Sequence, residues 1–400
     1  MKKDFILTSE SVTEGHPDKL CDQISDAIVD RFLEQDPYSS VVAECAVSTA
    51  IVFIAAMFES DAHIDFTTTA RQIINDVGYN YREFSGKTCS IITSLRETDS
   101  SGYRFFKEHE MSDSDIEKIP VKHQVTVVGY ACNQTTSFMP LPIVLAHRLA
   151  KKLQEVRVNG LLPYLALDGK TQVGIEYKSK IPYRIHSLTV LASQNRTNEP
   201  SIEKLRADIY SAVIEGVFLH EPIKPDKNTL IYINPEGPLI VGGPSAHSGL
   251  TGRKTAMDTY GGYARSGGAA LSGKCPLRID RVGAYSARYA AKNVVASGLA
   301  DECEVYLSYS IGLSRPVSLQ VETYGTGKIP DINIAMLIEK HFDLRIAGII
   351  KTFDLRNLPG RSKDGFYRKL ASYGHMGRID FTVPWEKIDK AEILRKEGLV

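Results

Sequence analysis

Residues 242–281 read GGPSAHSGLTGRKTAMDTYGGYARSGGAALSGKCPLRIDR, and the reading of the whole chain turns on them. Glycine recurs through the stretch, with Arg253, Lys254, Arg265, Lys274 and Arg278 interleaved. Glycine admits positive φ and lets amide N–H groups approach an anion closely, while several cations neutralise a charge that no single residue could. The stretch therefore reads as a polyphosphate grip. Loops selected only for flexibility seldom carry so many cations. Within it, Gly268–Cys275 spells GxxxxGK. A P-loop would need an apolar strand before that motif and a Ser or Thr after the lysine for magnesium, and Cys275 stands there instead. The phosphate chemistry belongs to another fold.

The 400 residues are 43% hydrophobic and 24% charged, as in a globular protein with room for two or three cores. Lys plus Arg equals Asp plus Glu at 48 each, so no global field draws nucleic acid or an anionic membrane. The basic cluster is a local device suited to a small anionic ligand. The N-terminal MKKDFILTSES lacks the apolar centre of a signal peptide. The most apolar run, Val41–Phe58, contains Glu44 and β-branched residues and is expected to form a strand pair, not a membrane span. The six cysteines show no CxxC pair and no metal-site spacing, which fits reduced thiols in a cytoplasmic protein. Cys275, beside Lys274, is open to a nucleophilic role, with packing the favoured one.

His16-Pro17-Asp18 opens a helix, with Leu20, Ile24, Ile28 and Phe32 at four-residue spacing until Pro37. Asp18, Asp22, Asp26 and Asp30 share another face. Asp26 and Asp30 are expected to be a solvated stripe. Asp18, beside His16 in the first turn, reads equally as a ligand or metal partner and as a solvated acid. Glu44 lies in a strand and is expected on its exposed face. Residues 96–120 lose apolar periodicity and gain charge, like a mobile linker or a lid. Strands are expected at His123–Cys132 and over HSLTVLA, NTLIYINP, CEVYLSYSI and VSLQVETYG, and helices at Pro142–Val156, Ile202–Val213, Ala284–Ala296 and Ile332–His341. Asp168-Gly169-Lys170 carries a hairpin-turn signal, which puts Lys170 in solvent. Three strand-and-helix blocks follow one another without the βαβα alternation of a doubly wound fold, so the fold class is α+β with mostly antiparallel sheets.

Three segments together resemble the S-adenosylmethionine synthetases: TSESVTEGHPDKLCDQISDAIVD (8–30), residues 243–281, and ASYGHMGRIDFTVPWEKIDKAEILR (371–395). The resemblance runs end to end. It implies three similar α/β domains in a pseudo-threefold arrangement, here 1–100, 119–232 and 233–400, and a homodimer or dimer of dimers with active sites between subunits. It implies ATP and methionine as substrates, with Mg2+ and K+. By the same resemblance His16 contacts ATP, Asp18 and Asp280 hold magnesium, and Glu44 holds potassium. Asp168, Lys170, Arg253, Lys254 and Lys274 grip ATP and its phosphates, with Ala270 in the same ligand-contacting segment.

Other positions depart from the family. Met57 stands at the Glu for the methionine ammonium, Thr98 at its Gln partner, His123 at the Asp of a GAGDQG hexapeptide, and Leu239 at the aromatic that stacks on adenine. His247 stands at the Asp that touches both substrates, Arg278 at a methionine-contacting Lys, and Cys275 at an Asp. The triphosphate half is intact and the methionine and adenine half rewritten, which leaves two alternatives to an orthodox synthetase. One is a paralogue with another acceptor or nucleotide; the other is a non-catalytic subunit paired with an orthodox enzyme.

Overall fold

The computed structural model describes residues 4–98, 102–196 and 199–399. Residues 1–3, 99–101, 197–198 and 400, which fall within the expected domain segments and the expected lid, lie outside that description. Twelve strands among the described residues form three sheets. The first joins β1 (Phe5–Val12), β6 (Leu165–Lys178), β7 (Ile181–Gln194) and β8 (Leu230–Ile233), with β9 (Leu239–Ile240) also on β7. The second runs β10 (Gly249–Leu250), β2 (Ser40–Ser48), β3 (Ile51–Glu59), β4 (Ser90–Glu97). The third is β12 (Ser318–Glu322), β11 (Glu302–Tyr309), β5 (Val125–Cys132). Most pairings are antiparallel; β3–β4, β7–β8 and β7–β9 are parallel. Each sheet draws strands from distant parts of the chain, and each carries one long helix: Leu141–Val158 on the first, Pro17–Gln35 on the second, Ile279–Ala296 on the third. This is the expected α+β class.

The apolar run Val41–Phe58 is the expected strand pair, since Val41 faces Phe58 and Ser48 faces Ile51. The turn expected at 168–170 is not there. Those residues lie inside β6, where Lys170 pairs with Val12 on one side and Leu191 on the other, and the chain reverses at Ser179 and Lys180. Gly169 sits in the strand because a Cβ there would fall 2.6 Å from Leu153 Cδ2. The 142–156 helix begins one residue earlier and ends two later than expected. It carries the half-buried His147, whose Nδ1 meets Ser11 Oγ at 2.7 Å. Burial, helped by Arg378 and Lys19, lowers the His147 pKa from 6.5 to about 3. The unfolded chain therefore binds more protons than the native one through that window, and stability falls as pH drops from about 6.5 to about 3. His147→Gln should flatten this slope in urea midpoints measured across the window.

The helix Pro17–Gln35 corrects a second expectation. His16 caps it by accepting the Asp18 amide at 3.2 Å, Pro17 occupies the first position, and Leu20, Ile24, Ile28 and Phe32 are fully buried, as expected. Asp26 and Asp30, expected in solvent, are fully buried too. Each carboxylate of the stripe captures backbone amides from remote loops: Asp18 takes Leu250 N at 3.0 Å, Asp22 takes Gly252 N at 2.7 Å and Asp26 takes Gly273 N at 2.8 Å. Asp30 takes the amides of Tyr367 and Arg368, both at 2.9 Å. Arg281 adds a bidentate pair to Asp26 at 2.8 and 2.9 Å, and Lys19 bonds Asp22 at 2.9 Å and also Asp258. A carboxylate taken out of water needs such partners. The glycines follow from this closeness. A Cβ on Gly249 would meet Pro17 backbone at 2.2 Å, and one on Gly273 would meet Ala43 O at 2.0 Å.

The described part of 96–120 is tied down rather than mobile. Arg104 is buried and pairs with Asp36, Glu59 and Asp61, Arg356 pairs with buried Glu108 at 3.3 Å, and Arg345 reaches Asp113 and Glu117. No helix among the described residues is long and apolar enough to cross a membrane.

Candidate functional site

The stretch 242–281 supplies side chains to two groups of polar residues. The first gathers at the N-terminal end of the 17–35 helix. The loop that follows β9 passes over Asp168, and Gly243 N donates to Asp168 Oδ2 at 2.9 Å. His247 Nε2 donates to the same oxygen at 2.8 Å. The His16 and His247 rings lie 4.9 Å apart. Lys254 Nζ holds Asp18 Oδ2 at 2.8 Å and Arg253 approaches Asp18 Oδ1 at 3.9 Å. Lys170, exposed on β6, stands within electrostatic range of His16. The structure thus brings together His16, Asp18, Asp168, Lys170, His247, Arg253 and Lys254.

Burial and charge set the protonation states here. Burial lowers the His16 pKa from 6.5 to about 4, so its imidazole is neutral at neutral pH. Burial alone would raise Asp168, but the His247 hydrogen bond and the Gly243 amide take it below the usual carboxylate range. Asp18 behaves alike: burial pulls it up, and Lys254 and the Leu250 amide more than reverse that. Two carboxylates are ionised beside three cations, which suits a polyanion that brings its own metal ion.

The second group lies at the start of the 279–296 helix. Lys274 Nζ meets Asp280 Oδ1 at 3.1 Å, and Arg278 Nη1 meets His123 Nδ1 at 3.2 Å. Burial and then the Arg278 charge lower the His123 pKa, which keeps that ring neutral. Among the described residues no hydrogen bond or ion pair joins this group to the first. Ala270 packs on Gly252, its Cβ 2.2 Å from where a Gly252 Cβ would be. Leu239 pairs with Ser193, whose Oγ donates to Asp168 O at 2.5 Å, so Leu239 borders the first group. Glu44 and Met57 lie on the exposed face of the second sheet, where Lys274 bridges Val42, the partner of Met57, and Thr98 closes β4 by donating to Phe58 O at 2.8 Å through its amide.

The stretch's amides do less than its glycines promised. The Gly243, Gly252 and Gly273 N–H groups point at the protein's own carboxylates, and Lys254 and Lys274 stand beside Asp18 and Asp280, so the anion-binding groups of the stretch are cations already paired with acids. Cys275 is fully buried, with the Val41 amide on its sulfur at 3.3 Å, and packs as favoured. All six cysteines are buried and unpaired. Asp22, Asp258 and Arg281, which hold the stretch in place, carried no sign of that role: each works through a partner far away in the chain.

Three family models match in succession. They are the N-terminal domain of S-adenosylmethionine synthetase over residues 4–100, its central domain over 118–239 and its C-terminal domain over 241–387. A protein of Microcystis aeruginosa named S-adenosylmethionine synthase is 47% identical, with 99% of this chain and 98% of that one covered. Proteins of the same name from Synechococcus sp. (strain JA-3-3Ab) and Thermosynechococcus vestitus are 47% and 46% identical over 98% of this chain and 98% and 97% of theirs. With its sheets, its capped helix and its cationic stretch all inside the matched regions, this chain belongs to the S-adenosylmethionine synthetase family.

Proposed function

We propose that the chain transfers the adenosyl group of ATP to methionine. The methionine sulfur lone pair forms a bond to C5′ while the C5′–O bond breaks, and tripolyphosphate leaves with the electron pair. Water then splits the tripolyphosphate into phosphate and diphosphate. A thioether brings no proton to remove, so catalysis consists of positioning the sulfur and stabilising the leaving anion. The observation that carries this reading is the convergence of Lys170, Arg253 and Lys254 with the Asp18 carboxylate at one helix terminus, in a chain of this family. Lys170, Arg253, Lys254 and Lys274 neutralise the phosphates, and His16, neutral, donates to them without competing for a proton. Asp168 and the Leu239 edge hold the nucleoside, with Ala270 against the same segment.

Asp18 and Asp280 offer hard oxygen donors, each already beside a lysine, and this set fits magnesium shared with phosphate oxygens. Bound magnesium neutralises the departing triphosphate. The Glu44 carboxylate fits a potassium ion. Purified chain with ATP, methionine, magnesium and potassium should give S-adenosylmethionine by mass spectrometry, with phosphate and diphosphate in equal amounts by phosphorus NMR. No product overturns the reading.

The two polar groups are separate in one chain, and a homodimer would complete each site from two copies. The support is the outer face of the second sheet, where Ile51, Phe53, Met57, Ile92 and Leu250 are each 39 to 50% exposed around Glu44. Contiguous apolar surface of this kind marks an interface. Phe53→Asp should convert the dimer to monomer in sedimentation and abolish turnover, because it buries an unpaired charge in that face. A second reading, a different acceptor, is supported by Met57, His123 and His247, which the resemblance sets at positions where the family carries carboxylates. A panel of thioethers and nucleotides separates the two. The cytoplasm is the compartment in which these six thiols stay reduced.

A further inference from the structure

His16, Asp168 and His247 form the one group of three metal-ligating side chains found among the described residues, with one ligand atom from each inside 4.8 Å of the others. His16 and Asp168 are almost fully buried and His247 half-buried. A second observation points at a ligand: Asp168 Oδ1 is buried and has no hydrogen-bond partner, although Oδ2 has two. An ionised oxygen without a partner in such a place is costly.

We propose that this triad is a site for a borderline divalent transition ion such as zinc or cobalt. Two imidazoles and one carboxylate are the donors such ions take, three protein ligands leaving a fourth position open. Ligand atoms around an ion with bonds of about 2.1 Å lie about 3.4 Å apart, so the triad closes by little more than about 1 Å. Each ring coordinates as a neutral imidazole. Nδ1 of His16 accepts the Asp18 amide, which leaves Nε2 as its ligand atom. On coordination the His16 proton moves to Nδ1, where Asp18 Oδ2 at 3.8 Å replaces the amide as partner. At His247 the Nε2 proton moves to Nδ1 and the hydrogen bond to Asp168 becomes a shared metal. Lys170, Arg253 and Lys254 nearby favour an anion in the fourth position. The site is distinct from the magnesium set, whose Asp18 and Asp280 offer oxygen only.

The test uses the full-length, nucleotide-free protein and cobalt(II) alone. One equivalent should give the visible absorption of four-coordinate cobalt without sulfur charge transfer, and zinc should displace it. His247→Ala should weaken binding by more than the about 10–100-fold that loss of a supporting outer group costs. His247→Gln serves if the alanine variant does not fold. Absent colour, a thiolate signature, or unchanged affinity in the variants overturns the proposal. None of these readouts depends on the adenosyltransferase reading.

Discussion

Arg281→Met should cost about 3–5 kcal/mol of folding stability, a large part of the about 5–15 kcal/mol that holds an ordinary domain folded. The guanidinium is fully buried and its two-point grip on Asp26 is one of the carboxylate's few contacts, the Gly273 amide being another. Burial alone would lower the Arg281 pKa, and Asp26 more than restores it; burial also raises the Asp26 pKa, against the pull of Arg281 and the Gly273 amide, so the two-point contact is what favours the ionised carboxylate. Removing the cation strands a carboxylate in apolar surroundings. The double variant Asp26→Leu with Arg281→Met removes both charges and should recover much of the loss, short of about 1–3 kcal/mol for the orphaned Gly273 amide. Urea unfolding of the three proteins decides it. A single variant as stable as the parent would show that water reaches Asp26.

Lys274→Ala should lower kcat by about 10²–10³, the usual loss when one group that stabilises developing charge is removed. Lys274 is half-buried, meets Asp280 at 3.1 Å and packs no core, so the melting temperature should change little. Lys274→Arg should restore part of the rate, because it keeps the charge but not the geometry. Steady-state kinetics with melting curves separates the outcomes. A variant that loses only KM would place Lys274 in ground-state binding.

Local patterns carried the elements and remote partners carried the errors. The capped 17–35 helix and the 41–58 strand pair were legible because period and punctuation lie within a few residues. Asp26 and Asp30 were not, because the groups that neutralise or bond them lie 247 to 338 positions along the chain. Asp168-Gly169 carries a true turn signal, overridden by pairing on both sides of β6. The cationic stretch was recognisable as a phosphate grip, yet its amides serve the protein's own acids. The resemblance placed His247 only as a departure, and its hydrogen bond to Asp168 becomes visible once the loop after β9 is folded over β6.

The stripe of Asp18, Asp22, Asp26 and Asp30 works as a ruler. Its marks fall every four residues, about 6 Å along the axis, and together they fix three remote segments: Leu250 and Gly252 under the first two marks, Gly273 under the third, and Tyr367 with Arg368 under the fourth. One residue inserted between Asp18 and Asp30 would turn every later mark by about 100° and release several loops at once. The gap lengths of this helix are therefore as constrained as its residue types, and a chain that slips here loses the relative placement of the two polar groups together.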